Sequence, residues 1–200
     1  MPTIYLDQAA TSFPKAPEVA TEMVRYLSQI GGNPGRGSYS AVTDAEQTAL
    51  TLREQLSTQF GSPDVEACIL TPGATYGINL VLHGYLQPGD HVLVSSMEHN
   101  AVMRPLNAIP GCLIEKVPCA PDGSMRVAEL AKRIRPETKL VCLTHASNVC
   151  GTLLPVEEVG VLCAERGIAY LVDAAQTAGH VPISRVQLQA DALIFPAHKG

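Results

Sequence analysis

The feature that most constrains this chain is an alternation. From residue 66 onward, short apolar runs take turns with segments of helical spacing. EACILT precedes a helix after Gly73, HVLVSS one after His99, CLIEKV precedes VAELAKRI, TKLVCLT precedes PVEEVGVLCAE, and AYLVDAA and DALIFPA follow. Strands that read as unbroken apolar runs are buried on both faces, and joining them in parallel takes crossover helices. The pattern predicts an α/β fold, a mostly parallel sheet flanked by helices. QPGD (87–90) and PDGS (121–124) supply turns between units.

Two more helices are predicted upstream. Val19, Met23, Leu27 and Ile30 are helically spaced and stop at GGNPGRGS. Ala45, Ala49, Leu52, Leu56 and Phe60 form a second stripe, which opens where Thr43 and Glu46 are spaced as a capping box and closes at Gly61. No repeat, low-complexity tract or linker interrupts residues 1–200, so they read as one domain.

Composition narrows the function. With 46% hydrophobic and 16% charged residues the chain can bury a substantial core. A net charge of −5 and scattered Lys and Arg argue against nucleic acid or an anionic membrane as partner. The N-terminus lacks a signal-peptide pattern and no apolar run reaches membrane-spanning length, which points to the cytoplasm. The cysteines at 68, 112, 119, 142, 150 and 163 show neither CxxC nor zinc spacing; they read as reduced thiols, and no metal site is expected. Small soluble ligands are the expected partners.

In open α/β sheets, ligands bind beyond the carboxyl ends of the strands. Those places hold TPGAT, MEHN, HASN, DAAQ and PAHK. Singly, Thr75 reads as a helix cap, His99 as a turn residue and Asn148 as a loop residue. Asp173 and Lys199 are harder to explain that way, because a charge at the end of an apolar strand is costly without a partner. Together they suit one chemistry. A glycine turn entering a helix offers N–H groups and a hydroxyl to a phosphate, a lysine amine can bind an aldehyde, an aspartate can keep a ring nitrogen protonated, and an imidazole can stack on the ring. Pyridoxal 5'-phosphate uses all four. Neither GxxxxGK[ST] nor a strand-borne GxGxxG is present.

Over nearly its whole length the chain also resembles the cysteine desulfurase and selenocysteine lyase group of class V aminotransferase-fold enzymes. The resemblance rests on YLDQAATSFPK, NPGRGS, TPGATYGINL, PGDHVLVSSMEHNAVMRPL, THASNVCGTLLPV, LVDAAQTAGHVPI and the terminal HKG, in that order. It implies the large domain of a fold-type I pyridoxal-phosphate enzyme over residues 1–200, with the cofactor near the interface of a homodimer. Lys199 matches the lysine that holds the cofactor covalently and moves the substrate α-proton, and His99 matches the imidazole on the ring that serves as acid or base. Asp173 matches the partner of the pyridine nitrogen and Gln176 that of the ring hydroxyl. Ala74, Thr75 and His198 match the phosphate contacts, and Asn148 a contact to cofactor or substrate. Segments 7–11 and 33–36 match the mouth of the site.

The implied reaction converts L-cysteine to L-alanine, with sulfur leaving as an enzyme persulfide for a sulfur-acceptor protein. L-Selenocysteine is an alternative substrate. A kynureninase-like hydrolase, an epimerase, a transaminase or an inactive cofactor-binding fragment are alternative functions. In that family the nucleophilic cysteine, the substrate-carboxylate arginine and the small domain follow the lysine, so the expectation is a chain truncated after it. Pro196 stands where relatives commonly carry Ser or Thr, Gln8 where Asn is usual, and Tyr76 where an acid is frequent.

Overall fold

The structure is a computed structural model that describes residues 4–200. The chain divides between Ile69 and Leu70 into two compact units.

In the first unit, α1 (Pro17–Arg25) opens on a proline at its first position, where the missing N–H costs no hydrogen bond. It runs into a π-helical turn (Tyr26–Ile30) closed by Gly31 N–H on the Tyr26 carbonyl at 2.8 Å. The helix predicted over this stretch is therefore present, with its last turn wider than α. Gly32 follows, so close to α2 (Ser40–Gln59) that a Cβ there would lie 2.0 Å from the Ala41 carbonyl oxygen. Only glycine fits.

The capping box expected at Thr43 is not formed, because α2 starts earlier, with Tyr39 extended at its N-cap. Glu46 instead accepts the Gly35 N–H at 3.0 Å, tying the glycine-rich loop to the helix. Gln8 uses its amide on one backbone position, donating to the Phe13 carbonyl at 2.7 Å and accepting the Phe13 N–H at 3.0 Å. Segments 7–11 and 33–36 belong to this unit.

The second unit contains the sheet. Five parallel strands, β1 (His91–Ser95), β2 (Leu113–Val117), β3 (Thr138–Thr144), β4 (Ala169–Asp173) and β5 (Ala192–Ile194), lie in the order β2-β1-β3-β4-β5. The predicted α/β class and strand content are those observed, with one correction. EACILT forms no strand: an apolar run needs a ladder partner, and Ile69 and Leu70 instead remain exposed and unpaired in any sheet.

Side chains alternate across the sheet. Val92, Val94, Leu140, Cys142 and Leu171 pack with Ile78 and Leu82 of α3 (Ala74–Tyr85) and with Val102 and Leu106 of α4 (Asn100–Ala108). On the opposite face, Tyr170 reaches α6 (Val156–Arg166), donating its hydroxyl to the Val156 carbonyl at 3.1 Å. A short α5 (Val127–Ala131) contacts α6. Each fully buried leucine here contributes roughly 1.5–3 kcal/mol. The sheet is thus a rigid layer whose five carboxyl ends share one rim.

Candidate active site

That rim encloses a cavity of about 630 Å³. Its lining draws together Ala74, Thr75, His99, Asn148, Asp173 and Gln176, and His198 and Lys199 complete it. All eight residues singled out in the sequence therefore meet in one place, although they come from five separate segments.

Each arrives for a local reason. Asp173 ends β4 and, being two residues from Leu171, points to the α3/α4 face. It is buried, and its Oδ1 accepts the Ala175 N–H at 2.9 Å. Burial raises its carboxyl above the ordinary value, while that hydrogen bond and the nearby His99 and Lys199 pull it back down. The aspartate is poised for a cation or a strong donor.

Gly73 precedes α3 with φ 156° and ψ 170°, a region used essentially by glycine alone. With no side chain to cap it, α3 presents its first N–H groups, at Ala74 and Thr75, where no carbonyl of the helix can reach them. The hydroxyl of Thr75 adds a donor. This is an anion cradle beside the cavity.

His99 is the N-cap of α4, and its Nδ1 accepts the Ala101 N–H at 3.0 Å. An accepting Nδ1 leaves the ring proton on Nε2 and fixes the imidazole plane. Asn148 rides a tight turn in which Gly151 N–H meets the Ser147 carbonyl at 2.9 Å, closed by the Ala146–Leu153 bridge. His198 and Lys199 follow β5, and the Lys199 carbonyl accepts from His180 Nε2 at 2.8 Å.

Thr144 in the lining and Glu98 beside His99 were not foreseen, whereas Pro196 was expected to stand where a hydroxyl is common. Thr144, the register partner of Asp173, sits at the end of β3, and Pro196 is buried in the wall, giving apolar surface where a hydroxyl would have added a donor. Glu98, next to His99, has a buried carboxyl: its Oε1 accepts from Ser95 Oγ at 2.5 Å and from Thr144 N–H at 2.9 Å. Burial lifts that carboxyl to about 8, against those two hydrogen bonds. Strand position would have flagged Thr144; nothing local marks Glu98.

A flat, anionic, aldehyde-bearing ring fits this donor set. The uncapped helix end suits its phosphate, Asp173 its ring nitrogen, the fixed imidazole its face and the Lys199 amine its carbon.

Comparisons with known proteins identify the family. Residues 4–200 match the class-V aminotransferase family, and the chain belongs to that family. It is 35% identical over 205 residues to the cysteine desulfurase IscS of Vibrio campbellii, covering 98% of this chain and 50% of the relative. The apo structure of a cysteine desulfurase from Thermococcus onnurineus superimposes with a TM-score of 0.91 at 29% identity, over 98% of this chain and 50% of that one. A structure of SspA in complex with cysteine gives 0.91 at 27% identity, over 98% and 58%. The chain spans about half the length of the curated relatives it matches. Among the described residues no helix is long and apolar enough to cross a membrane.

Proposed function

We propose that these 200 residues form the pyridoxal 5'-phosphate-binding part of a cysteine desulfurase, acting on L-cysteine with L-alanine as product. The observation that supports it most directly is the convergence of Asp173, His99, Lys199 and the α3 N-terminus on one cavity, in a chain whose relatives carry that activity by name. When bound, the cofactor supplies an electron sink for the substrate α-carbon.

The chain's own residues do the rest. Ala74 and Thr75 bind the phosphate through backbone N–H groups and the Thr75 hydroxyl, with His198 alongside. Asp173 holds a proton on the ring nitrogen, and a buried carboxylate does so strongly because little water competes. Gln176 bonds the ring hydroxyl. His99 lies against the ring face, and its Nε2 is free to exchange a proton because Nδ1 is engaged by Ala101. Lys199 anchors the cofactor and moves the α-proton, while Asn148 contacts cofactor or substrate.

The thiolate that receives the sulfur is not among the buried cysteines: burial lifts Cys163 to about 12 and Cys142 well above its ordinary value. In this reading it comes from outside the 200 residues, as does a sulfur-acceptor protein, and the working unit is a cytoplasmic homodimer.

Titration with pyridoxal 5'-phosphate tests the reading. A visible absorption band is expected, and borohydride reduction should leave the cofactor's mass on the Lys199 peptide. Both should vanish in Lys199→Ala. A panel of L-cysteine, L-selenocysteine and L-kynurenine then separates desulfuration from other class-V reactions. A protein that stays colourless in excess cofactor overturns the proposal.

A further inference from the structure

We infer that Glu98 is a positioning residue of this site: its buried carboxyl fastens the end of β1 to the end of β3 and so fixes the turn that delivers His99. The inference rests on the cofactor reading for what His99 does, but not for the state of the carboxyl itself.

The geometry is a short relay. Met97 N–H donates to Ser95 Oγ at 3.1 Å, Ser95 Oγ donates to Glu98 Oε1 at 2.5 Å, and the Thr144 N–H donates to the same oxygen at 2.9 Å. Ser95 ends β1 and Thr144 ends β3, so one carboxyl oxygen joins two neighbouring strands at the rim. The next residue, His99, is the N-cap of α4. A side chain that holds 95, 98 and 144 together leaves the backbone at 99 little freedom.

The other oxygen tells which form of the acid is present. Oε2 is shut away from solvent with no hydrogen-bond partner among the described residues. An ionised carboxylate would leave half its charge there unsolvated. Of the titratable groups around it, Asp173 on β4 disfavours a second negative charge, whereas the Cys142 thiol on β3 and the Tyr170 phenol on β4 are both raised well above their ordinary values and stay neutral. Glu98 is accordingly a neutral acid at neutral pH, and its ionisation falls near pH 8. Asp173 is then left as the carboxylate under the cavity.

The test has two independent readouts on the full chain. Infrared spectroscopy without cofactor should show the carbonyl stretch of a protonated carboxylic acid at neutral pH. That band should fade as pH rises through about 8 and be missing from Glu98→Gln. In pyridoxal 5'-phosphate titrations, Glu98→Gln keeps the acceptor oxygen and should bind within about twofold of the parent. Glu98→Ala strands the Thr144 N–H and should bind about tenfold more weakly. His99→Ala should then cost little further in the Glu98→Ala background, since the two act as a unit. A parent protein without the acid band refutes the neutral carboxyl, and additive losses for the two alanine variants refute the positioning role. If the parent binds no cofactor, the proposed function fails while the infrared result still decides the carboxyl.

Discussion

His180 reaches back to Lys199: its Nε2 lies 2.8 Å from the Lys199 carbonyl oxygen, so Nε2 donates and carries the proton in that bond. The two residues are distant in sequence and both belong to loops after the sheet's carboxyl ends. The bond steadies the backbone from which the Lys199 amine projects. His180→Ala should weaken pyridoxal 5'-phosphate binding about threefold and leave the circular dichroism unchanged, and His180→Gln should recover most of the loss by restoring a donor. Equal affinity in the alanine variant would show the contact to be idle.

Asp173→Asn separates charge from shape. The amide oxygen still accepts the Ala175 N–H, so the β4 end keeps its turn. Removing a buried charge should leave the thermal midpoint of the cofactor-free protein equal or higher. Cofactor affinity should nevertheless fall about tenfold or more, because a charge-assisted bond is lost. Calorimetry and an absorbance titration on one preparation check both halves, and unchanged affinity would remove Asp173 from the site.

At the opposite end of the sheet, His91 begins β1 with its ring buried, Nδ1 lying 2.8 Å from Thr138 Oγ1. Burial, aided by the Arg135 charge, holds its imidazole below the ordinary 6.5, although Glu115 opposes. The folded state thus binds fewer protons than the unfolded one between the two values. The stabilisation is complete above pH 6.5 and is lost as pH falls through the folded value. The margin by which the parent's urea midpoint exceeds that of His91→Gln should therefore shrink from pH 7.5 to pH 5.5 (about two units, spanning the ordinary 6.5), the pH dependence of Glu98 being common to both proteins. A margin that does not change with pH would contradict a buried neutral ring.

The cysteines should differ sharply in reactivity. Cys150 is exposed, and hydrogen bonding with Ser147 and Thr152 brings its thiol down to about 7. Burial pushes Cys163 up to about 12. Alkylation with iodoacetamide near neutral pH, followed by mass spectrometry, should label Cys150 first and leave Cys142 and Cys163 untouched until the protein unfolds. Early labelling of Cys163 would mean that α6 does not pack as described.

Much of this was legible in the residues, for definite reasons. Asp173 and Lys199 stood out because a charge ending an apolar strand calls for a partner, and TPGAT because a glycine before a helix leaves donors uncapped. EACILT misled because composition reports apolarity but not whether a ladder neighbour exists. Thr43 and Glu46 misled because their spacing imitates a cap, while Tyr39 and the Gly35 N–H decide where α2 starts and what Glu46 does. Glu98 was passed over because a glutamate in a strand-to-helix loop looks solvated. Only the closure of β1 against β3 buries it.

The pairing of Thr144 with Asp173 sets a tolerance for the whole molecule. If β4 slid by a single residue, Val172 would turn toward the pocket and the carboxylate would swing into the layer beneath α6. Substitutions deep in the strands, far from any ligand, can thereby switch recognition off without touching it. Fidelity of alignment along the ladder is itself a component of binding.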